Sequence, residues 1–222
     1  MRELKPIDFE SKNVFKALLT SITIMIIAIM IAAFIGVPMV NKFPSYVIAY
    51  TLVSAIIFIV RRNELIAYLK KVPQDFKKNK YQIIIYTFIF LALEFFLNLF
   101  ISKLTGTNVQ NNVNVMDAAN KTNIFLFIYF IAIITPLYEG LVYTYPYQKI
   151  KNKKLAYIFI SVVFALLHLT ASNSLIELLY FIPYLSLGLA LNYSLYKTNN
   201  VFMSIIVHAI NDLLVYVILL II

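Results

Sequence analysis

The chain has no cysteine and no tryptophan, four glycines in 222 residues, and only ten acidic residues against nineteen basic ones. Without cysteine, disulfides and thiolate chemistry are excluded. Polar residues are also in short supply. Hydrophobic residues make up 62% of the chain and the mean hydropathy is +0.85. A soluble domain sits nearer one half apolar, so this composition describes an integral membrane protein. The net charge of +9 would suggest a nucleic-acid partner only if the basic residues lined one soluble face. They punctuate apolar segments instead, so no nucleic acid is expected.

What the chain does contain is a series of apolar runs near the 20 residues that cross a bilayer. Seven spans are expected, at roughly 14–38, 44–60, 81–102, 122–142, 154–171, 174–196 and 201–221. The first is too long for a signal-peptide core and is expected to be retained. The second is short, with Gly36, Pro38 and Pro44 around its connection to the first. Sixteen of the nineteen basic residues fall on one side of this arrangement, from Arg2, Lys5, Lys12 and Lys16 to Lys197; only Lys42, Lys103 and Lys121 fall on the other. The asymmetry places the N-terminus in the cytoplasm of a multi-pass cell-membrane protein. Residues 61–80 mix Leu65, Ile66, Tyr68 and Leu69 with charges, as in an amphipathic helix on the cytoplasmic face or a solvated connector. The stretch 103–121 is expected as an outer loop. The fold class is all-α: a polytopic helix bundle of about seven transmembrane helices plus a cytoplasmic interfacial helix. A single membrane domain, 1–222, is expected to fill the chain.

The informative residues are ionisable ones inside these runs, because an unpaired carboxylate in hydrocarbon costs several kcal/mol and so faces a partner or a cavity. Six lie in or near spans: Glu94, Glu139, His168, Glu177, His208 and Asp212. Glu139 follows Pro136 by three residues. The proline deprives the carbonyl of Ala132 of its usual donor and is expected to deform the helix there. Gly140 permits close approach by another element. Counting helical rise from the basic boundaries puts Glu139 about 15 Å deep, His208 about 16 Å and His168 about 21 Å, so the three can meet in one cavity. Asn211 and Asp212 follow His208 at i+3 and i+4, on the same helix face. Glu177 is expected to reach the outer interface. Glu94 either packs against a polar neighbour or joins the same cavity.

Glu139 after its proline, then Phe164-Ala165-Leu166-Leu167-His168, then His208-Ala209-Ile210-Asn211-Asp212, resembles the CPBP family of membrane proteins. That family includes CAAX prenyl endopeptidases, Abi proteins, and bacteriocin processing and immunity proteins. The resemblance covers about 135–215, within a core of about 122–221. It implies that Glu139 is a general base activating water, that His168 positions the water with it, and that His208 with Asp212 stabilises the oxyanion. Asn211 stands one residue before the place where the family carries asparagine. Gly140 stands where the family carries a second glutamate, and Thr144 where it carries arginine.

Two functions are therefore expected. One is a glutamate-dependent intramembrane endopeptidase that cleaves a peptide or small protein near the cytoplasmic leaflet. The other is a catalytically impaired relative serving as a membrane scaffold or immunity protein. A metal-dependent hydrolase would use Glu139, the two histidines and Asp212 as ligands, but there is no His-Glu-x-x-His helix. No cofactor and no metal are expected. The expected partners are the lipid bilayer and a peptide or small membrane-protein substrate.

Overall fold

A computed structural model describes residues 13–36, 43–107, 110–170, 172 and 174–221. Arg2, Lys5, Lys12, Pro38 and Lys42 lie outside the described residues. Of the described residues, 90% are helical and none forms a strand. Every apolar run of the sequence is a helix. These are α1 (Val14–Gly36), α2 (Phe43–Val60), α3 (Arg62–Thr105), the broken helix from α5 (Ile124–Tyr129) through α6 (Thr135–Glu139), α7 (Lys153–His168), α8 (Phe181–Thr198) and α9 (Val201–Ile221). Five of them are long and apolar enough to cross a membrane, and large apolar side chains such as Phe34, Ile59, Phe88 and Phe125 cover their outer faces. In water such a surface would aggregate, whereas acyl chains solvate it. The protein is a multi-pass helical membrane protein.

Two segments depart from the sequence expectation. The stretch 103–121 is not a loop throughout, because Gln110–Lys121 forms a helix, α4. Residues 61–80 are helical as expected of an amphipathic segment, but they run without a break into the third span. Together they make a single helix of 44 residues. Pro73 is the only helix breaker inside it, and one missing donor does not outweigh the side-chain contacts around it. Leu65 is fully buried, and Tyr68 and Val72 pack on the same core cluster as Tyr145 and Phe202. Gly106, with φ of 66°, ends the helix in the left-handed conformation open to glycine.

α8 is the central helix. Most of its residues are buried, while few residues in the apolar half of α3 are fully buried. The tight joint between α7 and α8 depends on Gly188. A Cβ there would stand 2.8 Å from the backbone oxygen of Ser161, and backbone cannot swing aside. Gly188→Ala is expected to destabilise the bundle by about 1–3 kcal/mol, read as a lower midpoint of thermal unfolding in detergent.

The α8–α9 turn is fastened just as closely. Asn199 takes the left-handed conformation that ends α8. The Asn200 amide donates to the carbonyl of Tyr68 at 2.8 Å and to Asp75 at 2.7 Å. Its Oδ1 accepts from the amide of Phe202 at 3.1 Å, capping α9. Asn200→Ala removes three hydrogen bonds from a side chain buried to 1% and is expected to cost about 1–3 kcal/mol in the same measurement.

Candidate active site

The helix that carries Glu139 begins with a cap. Asn123 Oδ1 accepts from the amides of Phe125 at 2.9 Å and Leu126 at 3.4 Å. Seven residues on, the helix widens. Phe130–Ile134 is a π-turn closed by the Thr135 amide on the carbonyl of Phe130, five residues back. Pro136 explains the site of the distortion: it lacks an N–H, so the regular ladder cannot pass through it. α6 follows, and then a second π-turn, Gly140–Thr144, closed by the Tyr145 amide on the carbonyl of Gly140. Glu139 is therefore held on a short helix between two widened turns. Such π-turns are rare and concentrate where a side chain has to be re-aimed.

Glu139 lines a small cavity together with Tyr143, Thr144, Asn192, Ser204 and His208. The cavity offers about 10 Å³, on the scale of one water molecule. Glu139 Oε2 is buried and has no hydrogen-bond partner among the described residues. His208 Nε2 stands 4.0 Å from that oxygen and 3.3 Å from Asp212 Oδ2. A neutral imidazole nitrogen carries one hydrogen and can satisfy only one of two carboxylates. The shorter contact is to Asp212, so Glu139 is left to the cavity. Asn211 Nδ2 donates to Asp212 Oδ1 at 3.2 Å, which fixes that carboxylate from its other side.

His168 stands apart from this group. It ends α7 and does not line the cavity. Its ring lies 4.1 Å from that of Phe164, and the Phe164 ring lies 5.9 Å from that of His208. The phenylalanine thus touches both imidazoles. His168 Nδ1 is 2.9 Å from the carbonyl of Phe164. A carbonyl only accepts, so Nδ1 carries the hydrogen and Nε2 presents a lone pair.

Glu94 does not join the site: Asn98, one turn on along α3, donates to its carboxylate. Glu177 is buried to 6% exposure instead of reaching the interface, on a 3-10 turn where Ser174 donates to it at 3.4 Å. Sequence reasoning missed the neutral polar lining. Thr144 Oγ1 donates to Asn192 Oδ1 at 3.4 Å, Asn192 Nδ2 to the carbonyl of Gly188 at 2.9 Å, and Ser204 Oγ to the carbonyl of Leu191 at 2.9 Å. One signal for Ser204 was available: it precedes His208 by four residues, and so shares its face. Gly140 is required by packing, because a Cβ there would fall 2.2 Å from Cγ1 of Ile205. Among the described residues, no three or more histidine, aspartate or glutamate side chains are grouped to hold a metal ion.

Fold and site define a helical membrane protein with a largely buried glutamate and two histidines drawn from three helices. Residues 121–214 match the family described as type II CAAX prenyl endopeptidase Rce1-like. The chain is also 30% identical over 162 residues to the UPF0177 protein YxdF of Lactococcus lactis subsp. lactis, covering 72% of this chain and 87% of that one. The chain belongs to the family of that UPF0177 protein, and its residues 121–214 are similar to the Rce1-like members of the CPBP family. No solved structure matches it.

Proposed function

We propose that this protein is a glutamate-dependent intramembrane endopeptidase in which Glu139 and His168 activate water. The observation that carries the reading is the partnerless, buried Oε2 of Glu139 beside a cavity the size of one water. A carboxylate there takes a proton from water as the oxygen attacks a peptide carbonyl, and returns it to the amide nitrogen as the C–N bond breaks and the amine leaves. His168, with its Nε2 lone pair, accepts a hydrogen bond from the same water once Phe164 yields. The Nε2 hydrogen of His208 turns from Asp212 to the developing oxyanion. Asn211 holds the Asp212 carboxylate that releases it. The substrate is a peptide or small membrane protein, reached from the cytoplasmic leaflet of the cell membrane, with the N-terminus of the enzyme on that side.

The test is digestion of a proteome-derived peptide library by the full chain in proteoliposomes, with products read by mass spectrometry. Cleavage at defined bonds is expected, and it is expected to survive a strong chelator, since no step is assigned to a metal. Loss of cleavage on chelation, restored by added zinc, would overturn the assignment of water activation to the Glu139–His168 pair.

A second reading has an observation of its own. Ile205 fills the space that a longer side chain at position 140 would need, and Phe164 packs against both imidazoles. Both suit a relative that has lost catalysis and binds a membrane partner. On that reading the library stays intact, and purification in mild detergent brings down a stoichiometric membrane protein.

A further inference from the structure

The lipid-facing side of α3 continues into a basic ridge that the candidate site does not use. Each helical residue advances by about 100°, which places Tyr81, Ile84, Phe88, Phe95 and Leu99 along one side of α3. All five are exposed, Tyr81 at 72% and Phe88 at 71%. Followed toward the start of the helix, the same side carries Lys70, Gln74 and Lys77, with Lys71 and Lys78 beside them, all exposed. The changeover falls at Lys80, whose ammonium lies 5.0 Å from the centre of the Tyr81 ring.

The two acids of this stretch are turned elsewhere. Arg61 donates to Glu64, and Asp75 accepts from Asn200. None of Lys70, Lys71, Lys77 and Lys78 forms an ion pair with a described residue. The ridge is therefore an uncompensated positive strip that begins where the apolar, lipid-solvated strip ends.

We propose that this ridge binds the headgroups of anionic phospholipids. Continuity decides between possible occupants. A phospholipid lays its acyl chains on Ile84 and Phe88 and its phosphate among the lysines, filling both strips at once. A soluble acidic protein would meet only the lower strip. Lysine stems lie along apolar surface while their ammonium groups reach the phosphate layer. Each contributes about 1 kcal/mol near an anionic surface, which is about fivefold in affinity. Nothing here depends on Glu139 doing chemistry.

The test uses the full chain purified from mixed phosphatidylglycerol and phosphatidylethanolamine, with retained lipids counted by native mass spectrometry. Wild type is expected to retain phosphatidylglycerol preferentially. The K70Q/K71Q/K77Q/K78Q variant is expected to lose that preference by at least tenfold, while K151Q/K154Q keeps it. A wild-type preference in the quadruple variant, or equal loss in the control, overturns the proposal. So does release of the lipid by millimolar glycerol phosphate, which would mark a free-phosphate site. Because the chain has no cysteine, Gln74→Cys takes a single spin label and reads the same surface with every lysine in place. Its shielding from a water-soluble relaxant is expected to rise at least twofold when phosphatidylglycerol is added to phosphatidylcholine nanodiscs. Unchanged shielding would also overturn the proposal.

Discussion

Glu139→Gln is expected to lower peptide hydrolysis by about 10²–10⁴-fold, the usual contribution of a positioned general base. The protein level in the membrane is expected to stay unchanged. Glutamine keeps the size and shape of the side chain, so the cavity beside Tyr143 and Asn192 persists. What it loses is the ability to take a proton. The structural alternative gives the opposite outcome. If Glu139 serves only as a polar neighbour for His208, 4.0 Å away, an amide does that as well and the rate survives. Rates are to be compared in proteoliposomes at matched protein, with cleavage of the preferred library peptide followed by mass spectrometry. A wild-type rate in the glutamine variant would remove Glu139 as the general base. His168→Ala is expected to act in the same direction, and Phe164 then becomes the next residue to test, because its ring packs against both imidazoles.

Gly140→Glu, which restores the acidic pair of the family motif, is expected to damage the protein instead of repairing it. The first atom of any side chain at 140 would lie 2.2 Å from Cγ1 and 2.8 Å from Cδ1 of Ile205 on α9. Overpacking of this kind costs about 1–3 kcal/mol, and burying a second unpaired carboxylate adds several more. The expected loss is therefore about 3 kcal/mol or more, read as loss of folded protein on heating in detergent. Pairing it with Ile205→Ala is expected to recover the overpacking part, a non-additive result that a double-mutant cycle measures directly. An acidic variant as stable as wild type with Ile205 intact would mean that α9 yields easily at this point.

These contrasts show what could be read from the chain in advance. Apolar runs of 18 residues and more declare themselves by composition, so the helices of the bundle were legible. So was the meeting of Glu139, His208 and Asp212, because ionisable groups in hydrocarbon have few ways to be satisfied. Depth along a helix is fixed by counting residues, but lateral direction is not. His168 was placed at a workable depth, but it does not line the cavity that Glu139 and His208 share. The neutral side chains of Thr144, Asn192 and Ser204 gave little warning, since each can bond its own or a neighbouring backbone without a cavity. The union of residues 61–80 with the third span was also hidden. Charged residues are ordinary in a helix, and only the burial of Leu65 and the anchoring of Asp75 by Asn200 show why this one does not stop. Ile205 against Gly140 is a contact between residues 65 positions apart, and no local pattern announces it.

Each widened turn beside Glu139 holds one residue more than a regular helix would use for the same height. One residue is worth about 100° of azimuth, so the aim of the carboxylate is set by chain length between Phe130 and Thr144 as much as by side-chain identity. Scanning this stretch by substitution leaves that variable untouched. Deleting a single residue, Ile133 for instance, would keep every neighbouring side chain and swing the acid about a quarter-turn away from the imidazole of His208.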